Sequence, residues 1–362
     1  MATTIPDGNN IAALADWAEL YLASTPATGL SAVTADRFIR GSGEAAAEIE
    51  LEVSVTDDAD EELDVDDAAG VEVALAGEAQ DERDARVELL FEEVGLRLEI
   101  GPRVYPFATE DDQIVERDAA GREIYLLLLV LSTEEASFRS DRRAHEVEAI
   151  YDEVALVAVR RFLGPKSAGV RFARNSHDPD DPDTRPALFS EAIEWLRDRL
   201  DLRRGVRPAT SDDEEPRRHW EFVEPRDDGR APLNSYKDAG VDVVAWRFFA
   251  DARRGFPVLL AQCTVQLDWE NKVGDVKVDL WMKWIDFDTV PPQKALVIPF
   301  AVNRADRLWD DRTVSAGVII DRLRLLELLD EAGVAALRRL AARIPMEWVR
   351  SELESLGLEG AA

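Results

Sequence analysis

Two apolar runs of strand length set the strongest constraint on this chain: Gly240-Val-Asp-Val-Val-Ala-Trp246 and Pro257-Val-Leu-Leu-Ala-Gln-Cys-Thr-Val265. They are separated by a polar, glycine-containing turn, Asp251 to Gly255, so they read as two strands of a hairpin inside a hydrophobic core. Each run carries one polar side chain, Asp242 in the first and Gln262 in the second. A charge set among buried residues is costly unless it is paired or bound to metal. On neighbouring strands the Asp242 carboxylate and the Gln262 amide oxygen would point at one shared cation, and oxygen ligands of this kind suit magnesium. Gln262 has a second reading, since a buried glutamine also serves simply to satisfy backbone groups.

Helical patterns surround the hairpin. The segment from Glu146 to Leu163 is helical and closes on Gly164, a helix stop, and Leu188 to Leu200 forms a second, amphipathic helix. Between them lies a loop rich in Asp and Pro. Its Asp178, Asp180, Asp181 and Asp183 lack the glycine and the closing glutamate of a calcium loop, so it reads as a linker. A polar insertion, Thr210 to Arg230, follows.

The front of the chain has a different texture. A helix is expected from about Asn10 to Ala23, and an alternating strand over Glu48 to Val55. An acidic run, Asp57 to Asp67, reads as a solvated loop because like charges at this density repel. Residues 71–76 are expected as a strand, 87–100 as a helix leading into a strand, and the apolar stretch 124–132 as a buried strand. These features predict an acidic α+β accessory domain over 1–145 and a second domain over 146–362 that ends in helices. The fold class expected for the whole is α/β.

Charge is unevenly spread. The formal net charge is −31, and residues 1–100 hold 25 acids against 5 bases. A body this acidic repels nucleic acid unless a local basic face overcomes the field, and acidity also serves solubility or a saline habitat. Only six of the 43 bases are lysines. The lone cysteine, Cys263, excludes a disulfide framework and a Cys-based zinc cluster, which fits a reducing cytoplasm. The start of the sequence does not read as a secretory signal, and the longest apolar runs fall well short of the roughly 20 residues of a membrane span. His145, His177 and His219 have no metal-ligand spacing, and the chain carries no phosphate-binding GxxxxGK[ST] loop and no GxSxG nucleophile elbow.

The hairpin resembles the PD-(D/E)XK nuclease superfamily, in particular its restriction-endonuclease branch related to the Mrr enzymes. There a G-hydrophobic-D strand is followed by a strand reading Q-x-K. Gly240-Val241-Asp242 matches the first element and Gln262-Cys263 begins the second, but the lysine position holds Thr264. Lys272, in Asp268-Trp-Glu-Asn-Lys272, is the expected replacement, with Lys277 as second choice. The patterns KDxGxDVVAW and QCxxxxxWxxK, and the later Asp321-Arg-Leu-Arg324, are also similar to uncharacterised restriction-endonuclease-like proteins of bacterial defence loci. Tyr105-Pro-Phe107 and the segment from Tyr125 to Ser132 are similar to the front half of such proteins.

The resemblance implies a restriction-endonuclease-like mixed sheet flanked by helices and a magnesium- or manganese-dependent DNA endonuclease acting in antiviral defence. It assigns Asp242 and Gln262 to the metal, Lys272 to the attacking water and the phosphorus oxygens, and a helix glutamate to the metal as well. Glu191 is the choice for that glutamate and Glu153 the alternative; the same residues also read as solvated helix positions. DNA is the implied substrate. The charge adds an expected protein partner, such as an ATP-driven motor or sensor subunit, with the acidic N-terminal domain as docking module. Two other classes remain: a catalytically degenerate scaffold of the same fold, which Thr264 favours, and an acidic mimic of DNA.

Overall fold

The computed structural model describes residues 10–25, 29–37, 39, 65–133, 144–173, 185–200, 238–251, 255–285, 287, 290–304 and 306–356. The expected strand 48–55, the Asp178–Asp183 loop and the 210–230 insertion lie outside these residues. In chain order the elements are α1 (Ile11–Ser24), β1 (Leu30–Ser31), α2 (Val65–Ile100), β2 (Phe107–Glu110), β3 (Gln113–Glu116) and α3 (Arg122–Leu131). Next come α4 (Ala144–Leu163), β4 (Ala168–Arg171), α5 (Phe189–Arg199), β5 (Val243–Trp246), β6 (Val258–Cys263), a 3-10 turn (Trp269–Lys272) and α6 (Val278–Trp284). The chain ends with β7 (Gln293–Val297), α7 (Trp309–Ala316), β8 (Val318–Ile320), α8 (Arg322–Asp330), α9 (Val334–Ala341) and α10 (Met346–Ser355). The class is mixed α/β.

Contacts divide the chain into two units. One comprises Met1–Ser137, Phe300–Asp306 and Leu337–Ala362; the other comprises Phe138–Pro299 and Arg307–Ala336. The sequence reading gave everything after 146 to the second domain. Instead the chain returns twice to the first unit, because the C-terminal helix α10 packs on α1 and α3.

In the first unit, α1 starts where the sequence places it. The Asn10 side chain caps it by accepting from the Ala13 amide at 3.1 Å. A three-stranded antiparallel sheet, in the order β1-β3-β2, lies beside the helices. Three strand expectations are corrected here. Residues 71–76 and 87–100 belong to one helix, α2, and 124–131 lie in α3. Every residue from Ile124 to Leu131 is buried, so the run has no polar face, and a uniformly apolar stretch carries no period from which to tell helix from strand.

The second unit holds a five-stranded sheet in the order β4-β5-β6-β7-β8. β4, β5 and β6 form an antiparallel meander, and β7 and β8 then add parallel to β6. The parallel steps need crossovers, which α6 and α7 provide. The hairpin read from the sequence is present as β5 and β6, with Val243 opposite Ala261 and Trp246 opposite Val258. Side chains alternate between the two faces. Val244, Trp246, Val258 and Leu260 pack with Phe189, Ile193 and Leu196 of α5 and with Trp281 and Trp284 of α6. α4 packs on β4, β5 and β6. β6 is therefore central and covered, which accounts for its unbroken apolar run.

Candidate functional site

Asp242 immediately precedes β5, and Gln262 is the penultimate residue of β6. Continuing the β5–β6 register by one residue sets them opposite each other, and directly opposed residues of antiparallel strands share a face. The Asp242 amide donates to Ala261 O at 2.9 Å, which extends the ladder to this point. Its side chain turns back onto the neighbouring strand: Asp242 Oδ2 accepts from the Cys263 amide at 2.6 Å. A backbone donor thus fixes the orientation of the carboxylate.

Both residues line a pocket of about 580 Å³ at this end of the sheet, together with Glu148, Tyr151, Asp152, Asp238, Thr264, Gln266, Lys272 and Asp275. Glu148, Tyr151 and Asp152 come from α4, where their spacing of three and four residues puts them on one helix face. Lys272 ends the 3-10 turn that follows β6, and its Nζ lies 3.6 Å from Asp275 Oδ2. Among the described residues the lining carries five carboxylates and one ammonium.

Two buried polar atoms of this lining have no hydrogen-bond partner among the described residues. They are Gln262 Oε1 and the Tyr151 hydroxyl, in side chains that are 8% and 2% exposed. Such atoms are rare in folded proteins because each carries an uncompensated desolvation cost. The other end of the Gln262 amide is occupied, with Nε2 donating to Asp275 Oδ2 at 3.1 Å. Burial, and next the negative charge of Cys263, Asp152 and Asp242, push the Tyr151 hydroxyl well above its ordinary range, so it remains a proton donor.

The structure brings Asp242, Gln262 and Lys272 to one pocket. Glu191 is not in that lining: it is exposed in the first turn of α5, whose inward positions are Phe189, Ala192, Ile193 and Leu196. Glu153 is buried on α4, with Oε1 2.7 Å from Arg171 Nη1, and does not line the pocket either. The helix acids at the pocket are Glu148 and Asp152, which the sequence reading passed over. The signal that marks them is the shared face of 148, 151 and 152. Thr264, at the position of the motif lysine, is buried and caps the loop after β6 by accepting from the Gln266 amide at 3.2 Å. Trp246 and Trp269 are buried packing residues.

Among the described residues, no three Asp, Glu, His or Cys side chains lie close enough to hold a metal ion by themselves. The oxygens that line the pocket are mixed in kind and include the carboxylates of Asp242 and Asp152 and the amide oxygen of Gln262. The unpartnered Gln262 Oε1 is an acceptor left for a cation, so the residues fit the ion that the resemblance implies.

The chain matches no protein-family model, no curated protein and no solved structure. Among the described residues no helix is long and apolar enough to cross a membrane.

Proposed function

We propose that this pocket is the active site of a magnesium- or manganese-dependent nuclease of the restriction-endonuclease-like fold, which cleaves phosphodiester bonds in DNA. The observation that carries the reading is Gln262 Oε1, which is buried, has no hydrogen-bond partner among the described residues and shares an acid-lined pocket with Asp242. An antiparallel three-strand meander followed by a helical crossover to a parallel fourth strand supports the fold assignment.

In this reading Asp242, Gln262 and Asp152 hold the cation. When bound, it neutralises charge on the phosphate oxygens and lowers the pKa of the attacking water. The Cys263 amide keeps the Asp242 carboxylate aimed into the pocket. Lys272, at the rim, orients the water and stabilises charge on the phosphorus oxygens. Tyr151 keeps its proton and donates from the α4 side. Five carboxylates against Lys272 among the described lining residues disfavour a phosphodiester unless cations accompany it, so activity in chelator is expected to vanish. The net charge of −31 adds a partner that supplies DNA recognition, consistent with a role in a multi-protein antiviral defence assembly.

A second reading, a scaffold that has lost catalysis, is favoured by Thr264, which occupies the motif lysine's place and is engaged in a loop cap. DNA cleavage by the purified chain, with and without chelator, separates the two. Asp242→Ala is expected to abolish cleavage, and Lys272→Ala to lower it by about a hundredfold or more. Full activity in both variants, or cleavage unaffected by chelator, would remove the nuclease reading. The partner expectation is checked by DNA affinity across a salt series: weak binding by the chain alone supports it, and tight, steeply salt-dependent binding contradicts it.

A further inference from the structure

We propose that Asp275 is a positioning residue of this site, turning the Gln262 amide so that its carbonyl oxygen faces the cation and holding Lys272 at the rim. The proposal rests on the cation site of the nuclease reading and adds to it a residue that no sequence motif marks. Asp275 Oδ2 accepts from Gln262 Nε2 at 3.1 Å and lies at ion-pair distance, 3.6 Å, from Lys272 Nζ. A carboxylate accepts and does not donate, so only the nitrogen end of the amide can face it. The carbonyl end is thereby forced to the other side, where it is buried and has no partner among the described residues. A glutamine without this anchor gains as much by turning its NH₂ group toward the pocket carboxylates, and then presents donors where a cation needs an acceptor.

The backbone explains how Asp275 reaches this place. Gly240 has φ of +75°, a left-handed conformation that favours glycine. A Cβ on it would lie 2.9 Å from Asp275 O and 3.1 Å from Asp275 C. Gly240 is therefore the seat on which the 273–276 loop lies against the strand leading into Asp242. In the Gly-hydrophobic-Asp motif the glycine permits the approach of the residue that orients the glutamine, two links from the metal ligand it precedes. Asp238 Oδ1 accepts from the Gly240 amide at 3.0 Å and holds the turn.

The test compares Asp275→Ala with Asp275→Asn in the full chain. Both remove one negative charge, but asparagine keeps an oxygen that accepts from Gln262 Nε2. Manganese affinity is measured by calorimetry for wild type, both variants and Asp242→Ala, and the Gln262 side-chain NH₂ resonances are followed in glutamine-labelled protein, which has only five glutamines. Loss of orientation is expected to leave Asp275→Ala about tenfold or more weaker for manganese than Asp275→Asn. The Gln262 NH₂ resonances are expected to shift in the alanine variant and to stay near their wild-type positions in the asparagine variant. Equal weakening in the two variants would overturn the proposal, because loss of charge alone would then account for it. If wild type shows no manganese binding that Asp242→Ala removes, the cation reading fails. The orientation of Gln262 is then decided by the resonances, and their invariance in Asp275→Ala would overturn the proposal independently.

Discussion

Each unit of this protein buries a polar cluster, and the two clusters are finished differently. In the first unit, Arg97 is fully buried and donates to Glu93 at 3.0 Å, Asp16 at 2.7 Å, Glu19 at 2.8 Å and the carbonyl oxygen of Ala12 at 3.0 Å. Glu19, also fully buried, accepts from the hydroxyls of Tyr105 and Tyr125, each at 2.6 Å. No buried side-chain atom of Arg97, Glu19, Tyr105 or Tyr125 is left unpaired. In the second unit the Gln262 oxygen and the Tyr151 hydroxyl, also in buried side chains, have no hydrogen-bond partner among the described residues and line a pocket. A saturated network is spent on holding its own elements together, here α1, α2 and α3. An unsaturated one retains valences for something that arrives later.

The sharpest way to break this contrast is to open the saturated cluster. Arg97→Met leaves Glu19 buried without its cation and is expected to destabilise the first unit by about 3–5 kcal/mol, measured by chemical denaturation. Burial alone would loosen the Arg97 proton, but Glu19, Tyr125, Asp16 and Tyr105 outweigh it and hold the guanidinium charged. A loss below about 1 kcal/mol would show that the network is not structural.

Alkaline pH probes both clusters at once. Burial is the foremost cause that pushes the hydroxyls of Tyr105 and Tyr151 well above 10.0. The folded state thus keeps these protons at pH values where the unfolded chain loses them. The stability from these groups is complete below about pH 10 and falls as pH rises beyond it. Thermal unfolding midpoints between about pH 9 and 11 check this, and the phenylalanine variants are expected to flatten the fall.

Those variants differ at neutral pH, which sharpens the comparison further. Tyr105→Phe removes a hydrogen bond to a buried carboxylate and is expected to cost about 1.5–3 kcal/mol. Tyr151→Phe removes a hydroxyl that has no partner and is expected to be neutral or stabilising by up to about 1 kcal/mol. Equal costs at the two positions would mean that Tyr151 is satisfied after all.

How far the sequence revealed this follows from the same physics. Asp242 and Gln262 stood out because each interrupts an apolar run, and the structure sets them across adjacent strands. Glu148 and Asp152 did not, since α4 carries several acids and only their common face with Tyr151 separates pocket from solvent. Glu191 looked equivalent to them by local pattern, yet α5 turns it outward. Asp275 lies in a loop with no periodicity, and its role depends on the close approach at Gly240. In the first unit, Arg97 sits between Leu96 and Leu98 in a long helix; its bond to Glu93 follows the local four-residue spacing, but its partners Asp16 and Glu19 come from about 80 positions earlier, a pairing no local spacing encodes. The run Tyr125 to Leu131 misread as strand for the opposite reason: it is apolar on every side.

The central claim is that the open valence of Gln262 belongs to a divalent cation, and Gln262→Met tests it most directly by keeping side-chain length while removing the amide. Unfolding stability and calorimetric titration with magnesium or manganese are measured on the same variant. Saturable binding is expected for wild type and its loss in Gln262→Met, with a stability change of no more than about 2 kcal/mol, because removal of the unpartnered oxygen offsets loss of the Nε2 bond to Asp275. Undiminished cation binding in Gln262→Met, or absence of binding in the wild-type protein, would contradict it.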